Sequence, residues 1–324
     1  MQSEFLFSKK SLLQQRLKSC LLAIVIVVFI SAPALAQRKS LWSDVAETKI
    51  RVAQGARVIV PHVYRTVALN QSALKSLLKS LPMESNVSVR NSSRIITLPM
   101  PDGSYQSFRV VESPVMEPAL MKKYPEIKTY SGQGIEDPAA TVRFDWTPKG
   151  FHAMILSPAG TVFIDPYSRG DITNYISYYK KDFVPAGRKN FSEGAISEDI
   201  LNTQLSPVKV GANNAGKELA SSGTQLHTYR LALAADHNYA TFQGGTKVLT
   251  LAAMVTTMNR VNGVYEKEVS VHMNIIAGDD ALISLTAAGD PYTALKACDL
   301  RPQNQTNIDA VTGSANYEDR KSVV

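Results

Sequence analysis

Residues 246–267 read TKVLTLAAMVTTMNRVNGVYEK. The run holds no proline, and its one glycine, Gly263, comes near the end. Val248, Leu251, Ala252, Val255, Met258 and Val261 recur at helical spacing and make one broad apolar face. LHTYRLALAAD, 226–236, precedes it as a strand, and VSVHMNIIAG, 269–278, follows with Val269, Val271, Met273 and Ile275 on one side. Strand, long helix, strand predicts a βαβ unit with a right-handed crossover. The glycine pair at 244–245 reads as a loop before the helix; it lacks the lysine and spacing of a phosphate-binding fingerprint.

Upstream, residues 44–182 read differently. IRVAQGARVIVP, 50–61, alternates as a strand and ends at Pro61. NQSALKSLLKSLP, 70–82, predicts a short helix capped by Asn70, with Leu74, Leu77, Leu78 and Leu81 in one stripe. RIITLPMPDGSYQSFRVVES, 94–113, predicts a hairpin turning at PDG. TVRFDWTPKGFHAMILSPAGTVFIDPY, 141–167, predicts three strands joined at TPKG and SPAG. Such spacing points to a β-sandwich or a curled sheet. Between the two patterns, residues 185–224 are small, polar and weakly periodic, the composition of a linker and of a processing site.

Composition is that of a globular protein: 44% hydrophobic, 8% aromatic and 19% charged. Of the net charge of +7, +3 belongs to residues 1–36, where Lys9, Lys10, Arg16 and Lys18 stand against Glu4. No basic cluster interleaved with aromatics occurs, which argues against a nucleic-acid partner. The basic start, the apolar run CLLAIVIVVFI and the small residues Ala34 and Ala36 predict an export signal cleaved between Ala36 and Gln37. The apolar run is short of the ~20 residues a spanning helix needs, so no stable membrane span is expected after cleavage, and the product is expected to be secreted. The mature part then keeps one cysteine, Cys298, and no internal disulfide.

Few residues carry chemistry. The five histidines are His62, His152, His227, His237 and His272; no two lie four apart, as a metal-binding helix face would need. His152 and His272 read as structural, and His227 with His237 lacks a third ligand. Asp279 and Asp280 read as a solvated turn at a strand end, with a calcium ligand as the alternative. No Gly-x-Ser-x-Gly elbow occurs, and nothing local activates Cys298. The residues name no catalytic and no metal-ligating side chain.

The stretch YRLALAADHNYATFQGGTKVLTLAAMVTTMNRVNGVYEKEVSVHMNIIAG, 229–278, resembles the start of bacterial reprolysin-like metallopeptidases of the metzincin clan. TTMNRVNGVYEKEV is its most specific part, and DPYT and NQTNIDAVTGSANY resemble the family's continuation. ESPVMEPAL, YPEIKTYSGQG and PKGFHAMI resemble the family's prodomain more loosely. The resemblance implies a zinc endopeptidase whose HExxHxxGxxH helix supplies three histidine ligands and a glutamate base. It also implies a strand beginning IGHVFS, read as the edge strand that binds substrate backbone. Neither sequence occurs here. Residues 37–225 hold no cysteine, so a prodomain here could not inhibit by a cysteine–zinc bond.

The expected organisation is α+β. A signal peptide spans 1–36, a sandwich-like β-rich prodomain 37–184 and a linker with a processing site 185–224. The opening βαβ unit of an incomplete α/β metzincin catalytic domain spans 225–317, and 318–324 form a non-native tail that adds no element. The expected function is a secreted zinc metalloendopeptidase precursor, truncated before its catalytic centre and so inactive, binding no zinc itself. Zinc and a protein or peptide substrate belong to the full-length form. The rival class is a non-catalytic exported β-rich binding or adhesion protein; downstream DNA encoding a zinc helix distinguishes the two.

Overall fold

Asn70 begins a helix as its spacing predicts. In the computed structural model of the chain its side chain accepts the Ala73 N–H at 3.1 Å and caps α1, Gln71–Leu78. The structure describes residues 40–50, 57–183, 225–293 and 297–323. The expected signal peptide with its cleavage site at Ala36 and Gln37, and the expected linker 185–224, lie outside the described residues. So does part of the strand expected at 50–61, and the described residues 57–61 form no strand.

The β-rich stretch is one sheet of nine strands. β1, Trp42–Asp44, and β2, Arg65–Leu69, precede α1 and pair with each other; β3, Ile95–Pro99, and β4, Tyr105–Glu112, make the hairpin at PDG. A helix the sequence did not announce, α2, Pro118–Lys123, leads to β5, Lys128–Gly134. β6, Thr141–Thr147, β7, Gly150–Ser157, β8, Gly160–Pro166, and β9, Asn174–Tyr179, complete it. The order is β1-β2-β9-β8-β7-β6-β5-β4-β3, and every neighbouring pair is antiparallel. The turns at TPKG and SPAG place Gly150 at φ 101° and Gly160 at φ 126°, a left-handed backbone that glycine adopts without a Cβ clash.

The sheet is curled rather than a two-sheet sandwich. Its far ends meet: Arg65 of β2 donates to the Met100 and Ser104 carbonyls at 3.2 and 2.8 Å, and Ser177 of β9 donates to the Pro99 carbonyl at 2.8 Å. Strand twist brings the ends of a long antiparallel sheet together, and one face then forms a core. That core joins Trp42, Phe108, Phe144, Phe151 and Tyr175 with Leu74 and Leu78 of α1, and Leu77 and Leu81 pack against it.

The later stretch forms the expected parallel unit. β10, His227–Ala235, is followed by the short α3, His237–Gln243, then by α4, Lys247–Glu268, and β11, Val271–Ile275. Asp236 and Thr246 cap the two helices, and Gly244 closes α3 at φ 119°. β10 and β11 pair in parallel, Leu231 opposite Ile275. Val269, expected on the strand, instead ends α4 and is half exposed, and Ser270 makes the turn at φ 55°. A third helix, α5, Ala297–Thr312, precedes β12, Asp319–Val323, which pairs in parallel with the other edge of β10. The terminal residues, expected to add no element, therefore run as a strand. The reason is sequence-independent: the open edge of β10 presents backbone donors and acceptors that any extended chain satisfies.

The outer edge of β11 is covered by the β-rich stretch itself. Ile275 N–H donates to the Val115 carbonyl and Glu117 N–H to the Ile275 carbonyl, both at 2.8 Å. One core accordingly contains residues of both stretches: Val115, Met116, Leu120 and Ile127 with Leu231, Leu251, Val255 and Met258. Among the described residues no helix is long and apolar enough to cross a membrane.

Candidate functional site

Helix α4 has two buried faces. Leu251, Val255 and Met258 pack on β10 and β11, as the apolar periodicity predicts. On the same side Asn262 is fully buried, and its amide mimics a neighbouring strand. Its Nδ2 donates to the Met273 carbonyl at 2.9 Å, and its Oδ1 accepts the Met273 N–H at 3.0 Å. A side-chain amide is a suitable partner there because it carries both a donor and an acceptor.

The second face packs on β6, β7 and β8 of the curled sheet. Asn259 Nδ2 donates to the Phe144 carbonyl at 2.9 Å and Thr256 Oγ1 to Asp145 at 3.1 Å. Arg260 pairs with Asp165 at 2.6 Å, and the other Asp165 oxygen accepts the Tyr178 hydroxyl at 2.9 Å. A Cβ on Gly263 would lie 2.9 Å from Arg143 Cγ and from Met154 Cε, so the absent side chain lets helix and sheet approach. Arg143, 5% exposed, binds Ser113 and pairs with Glu266. Glu266 also meets His272 Nδ1 at 2.5 Å, while His272 Nε2 faces Asn274 Oδ1 at 3.0 Å. Burial pushes the Glu266 carboxyl up, but the His272 hydrogen bond and the Arg143 charge outweigh it and hold the carboxyl below its usual value.

Sequence reading did not find this second face. Its signal was present: Thr256, Asn259 and Gly263 recur at helical spacing, and a solvent-facing stripe would carry more charge. The partners on β6 and β8 carry no comparable signal.

A cavity of about 420 Å³ opens between this face, α3 and the β6–β7 and β8–β9 turns. Lys149 and Arg169 reach it from those turns, and Tyr239, Phe242 and Leu249 line the other side. Lys149 Nζ donates to the Gln243 carbonyl at the end of α3, at 3.1 Å, and Arg169 lies over the Phe242 ring at 4.1 Å.

The histidines are placed apart. His227 begins β10 and His237 follows its end, so nine strand residues hold them roughly 30 Å apart. His237 binds Asp290 through its backbone N–H at 2.8 Å and Nδ1 at 2.5 Å. His152 binds Asp145 at 2.9 Å, and His272 is buried against Glu266. His62 is exposed, with its backbone N–H on the Asp182 carbonyl. Cys298 lies in α5.

Asp279 and Asp280 are a correction. They are 0% and 6% exposed, not a solvated turn, because the 3-10 turn at Asp279–Leu282 folds under the end of the parallel sheet. Asp279 Oδ1 accepts the Leu233 N–H at 2.7 Å and its Oδ2 has no partner. Burial pushes its carboxyl well above the usual range; the Leu233 bond opposes this, and the neighbouring Asp280 adds to it. Asp280 pairs with Lys123 and accepts the Tyr124 hydroxyl at 3.0 Å. Burial leads the causes that push Tyr124 up to about 12.

Strand, helix and parallel strand, with a third parallel strand on the other side, define the later stretch as an α/β layer. Residues 225–321 match the family model described as metallo-peptidase family M12B, reprolysin-like, so this segment is reprolysin-like, as its residues indicated. No curated protein gives a match to the chain. Among the described residues no three His, Cys, Asp or Glu side chains converge to hold a metal. These described residues do not fit a zinc site.

Proposed function

We propose that the chain is the precursor portion of a secreted zinc-dependent metalloendopeptidase, with the β-rich stretch as its prodomain. The observation that carries this reading is the reprolysin-like match over 225–321. Metallopeptidases of that family act on peptide bonds with zinc, which the HExxHxxGxxH histidines would hold; that sequence does not occur in this chain. The chain as it stands therefore neither holds zinc tightly nor cuts peptides.

The prodomain role rests on the two buried faces of α4. The β-rich stretch packs against the first helix of the reprolysin-like segment and supplies Val115–Glu117 to the edge of β11. It thereby covers apolar and backbone groups that this segment would otherwise expose. Inhibition by such a prodomain would be steric.

The test uses the purified chain in a competition assay with a chromophoric zinc chelator and in a casein hydrolysis assay. We expect no submicromolar zinc binding and no chelator-sensitive cleavage; either one refutes the inactivity. Sequencing the genomic DNA after the Tyr317 codon tests the family reading: a zinc-helix reading frame is expected. Its absence moves the binding-protein class ahead.

A further inference from the structure

The cavity between the curled sheet and α3–α4 has unbalanced charges: Lys149, Arg169 and Arg260 line it against Asp165. Asp165, the one carboxylate in the lining among the described residues, has both oxygens engaged, by Arg260 and by Tyr178. Asp145 is engaged by His152 and Thr256. Lys149 and Arg169 have no carboxylate partner among the described residues. Lys149 has the Gln243 carbonyl and Arg169 the Phe242 ring. Two further donors at the cavity are unused: the Ser168 hydroxyl, on a residue 3% exposed, and Arg260 Nε, both buried without a partner. The rest of the lining is largely apolar, from Ile59, Pro148, Tyr239, Phe242 and Leu249. Two unpaired cations and two unused donors beside an apolar wall form a site for a negative head on an apolar body.

We propose that this cavity binds a small carboxylate carried on an apolar body, its head between Lys149 and Arg169 and its body against Tyr239 and Leu249. Burial and the adjacent Arg169 charge both push the Lys149 ammonium below its usual value, a cost that a bound anion reverses. The volume, about 420 Å³, lies in the range of small-molecule sites. Two sources share this chemistry: a free aliphatic acid and the carboxy terminus of a short peptide ending in an apolar residue. Because the cavity walls come from both the curled sheet and the reprolysin-like segment, an occupant bridges them. The proposal stands on these residues alone and does not rest on the peptidase reading.

Isothermal titration calorimetry on the whole chain tests it. The probes are octanoate, octanol, inorganic phosphate, and a tripeptide ending in leucine with a free or an amidated carboxylate. We expect a free carboxylate to bind better than octanol, the amidated peptide and phosphate. Arg169→Met should weaken it about tenfold, the loss of one charge-assisted contact. Arg169 stacks on one ring, so this variant should keep the fold, which near-ultraviolet circular dichroism checks; Ser168→Ala is the second variant should it unfold. Tighter octanoate than peptide assigns the free acid, and the reverse assigns the peptide end. Octanol or phosphate binding as tightly as octanoate overturns the proposal. So does unchanged affinity in the folded variants, or no binding of either carboxylate.

Discussion

The two faces of α4 are buried by different means. Toward β10 and β11 the contact is apolar, Leu251, Val255 and Met258, with one amide closing a strand edge. Toward the curled sheet it is made of Thr256, Asn259, Arg260, Gly263 and Glu266, each meeting a specific atom on β6, β7 or β8. Burial of apolar area is non-directional and tolerates repacking. A face of hydrogen bonds and ion pairs fixes register but costs stability if any one partner is lost. The first contact would suit a permanent core and the second a surface that must match one partner.

The largest effect is expected where the apolar face relies on its one amide. Asn262→Leu keeps the size but strips Met273 of partners for both backbone groups. At roughly 1–3 kcal/mol for each buried group left unpaired, the loss is about 4 kcal/mol. Urea unfolding that shows under 1 kcal/mol would mean that the β11 edge has another partner.

Next comes the polar face. Arg143→Met leaves the Glu266 carboxylate without its guanidinium, at a cost of about 3 kcal/mol at pH 7. Because the folded Glu266 carboxyl is held below its ordinary value of 4.5, its contribution is present above that value and fades as pH falls through the lowered one. Denaturation at pH 7 and pH 3 should therefore show the gap between parent and variant shrinking in acid. A gap that is constant with pH would assign Arg143 to packing alone.

A smaller loss is expected from Gly263→Ala. Alanine favours a helix by about 1 kcal/mol over glycine, but the new Cβ presses on Arg143 and Met154, and overpacking costs roughly 1–3 kcal/mol. The net is about 1 kcal/mol destabilising. A rise in thermal stability would show that the sheet yields more readily than the polar face implies.

The smallest effect has the opposite sign. Asp279→Asn keeps an acceptor for the Leu233 N–H and removes the ionisable group. The folded carboxyl is raised, so what Asp279 contributes is present below its ordinary value near 3.8 and lost as pH rises through the raised one. The variant should be more stable than the parent at pH 8, and the two should converge near pH 3. Equal melting curves at pH 8 would mean that Asp279 ionises in the fold at no cost.

Legibility in the sequence followed the range of the interactions. Asn70, the glycine at each hairpin turn and the apolar stripe of 246–267 act within a few residues, and each appears where its spacing placed it. The buried pair Asp279–Asp280 was misread because a charged dipeptide after a strand is locally a turn; Lys123 and Tyr124, which bind Asp280, lie 157 and 156 residues away. The sandwich gave way to a curl because strand count and spacing are the same in both, and the Arg65 and Ser177 contacts across the ends decide between them.

By itself the sequence determined the strand–helix–strand unit, the β-rich stretch before it and the reprolysin-like character of 225–321, because periodicity and local motifs are written residue by residue. Tertiary structure alone decided that α4 is buried on both sides, that Val115–Glu117 extends the parallel sheet, and that Lys149 and Arg169 share a cavity with Phe242. Those contacts join residues about 70 to 160 positions apart. No local pattern records which distant backbone will supply the partner for a buried amide or charge.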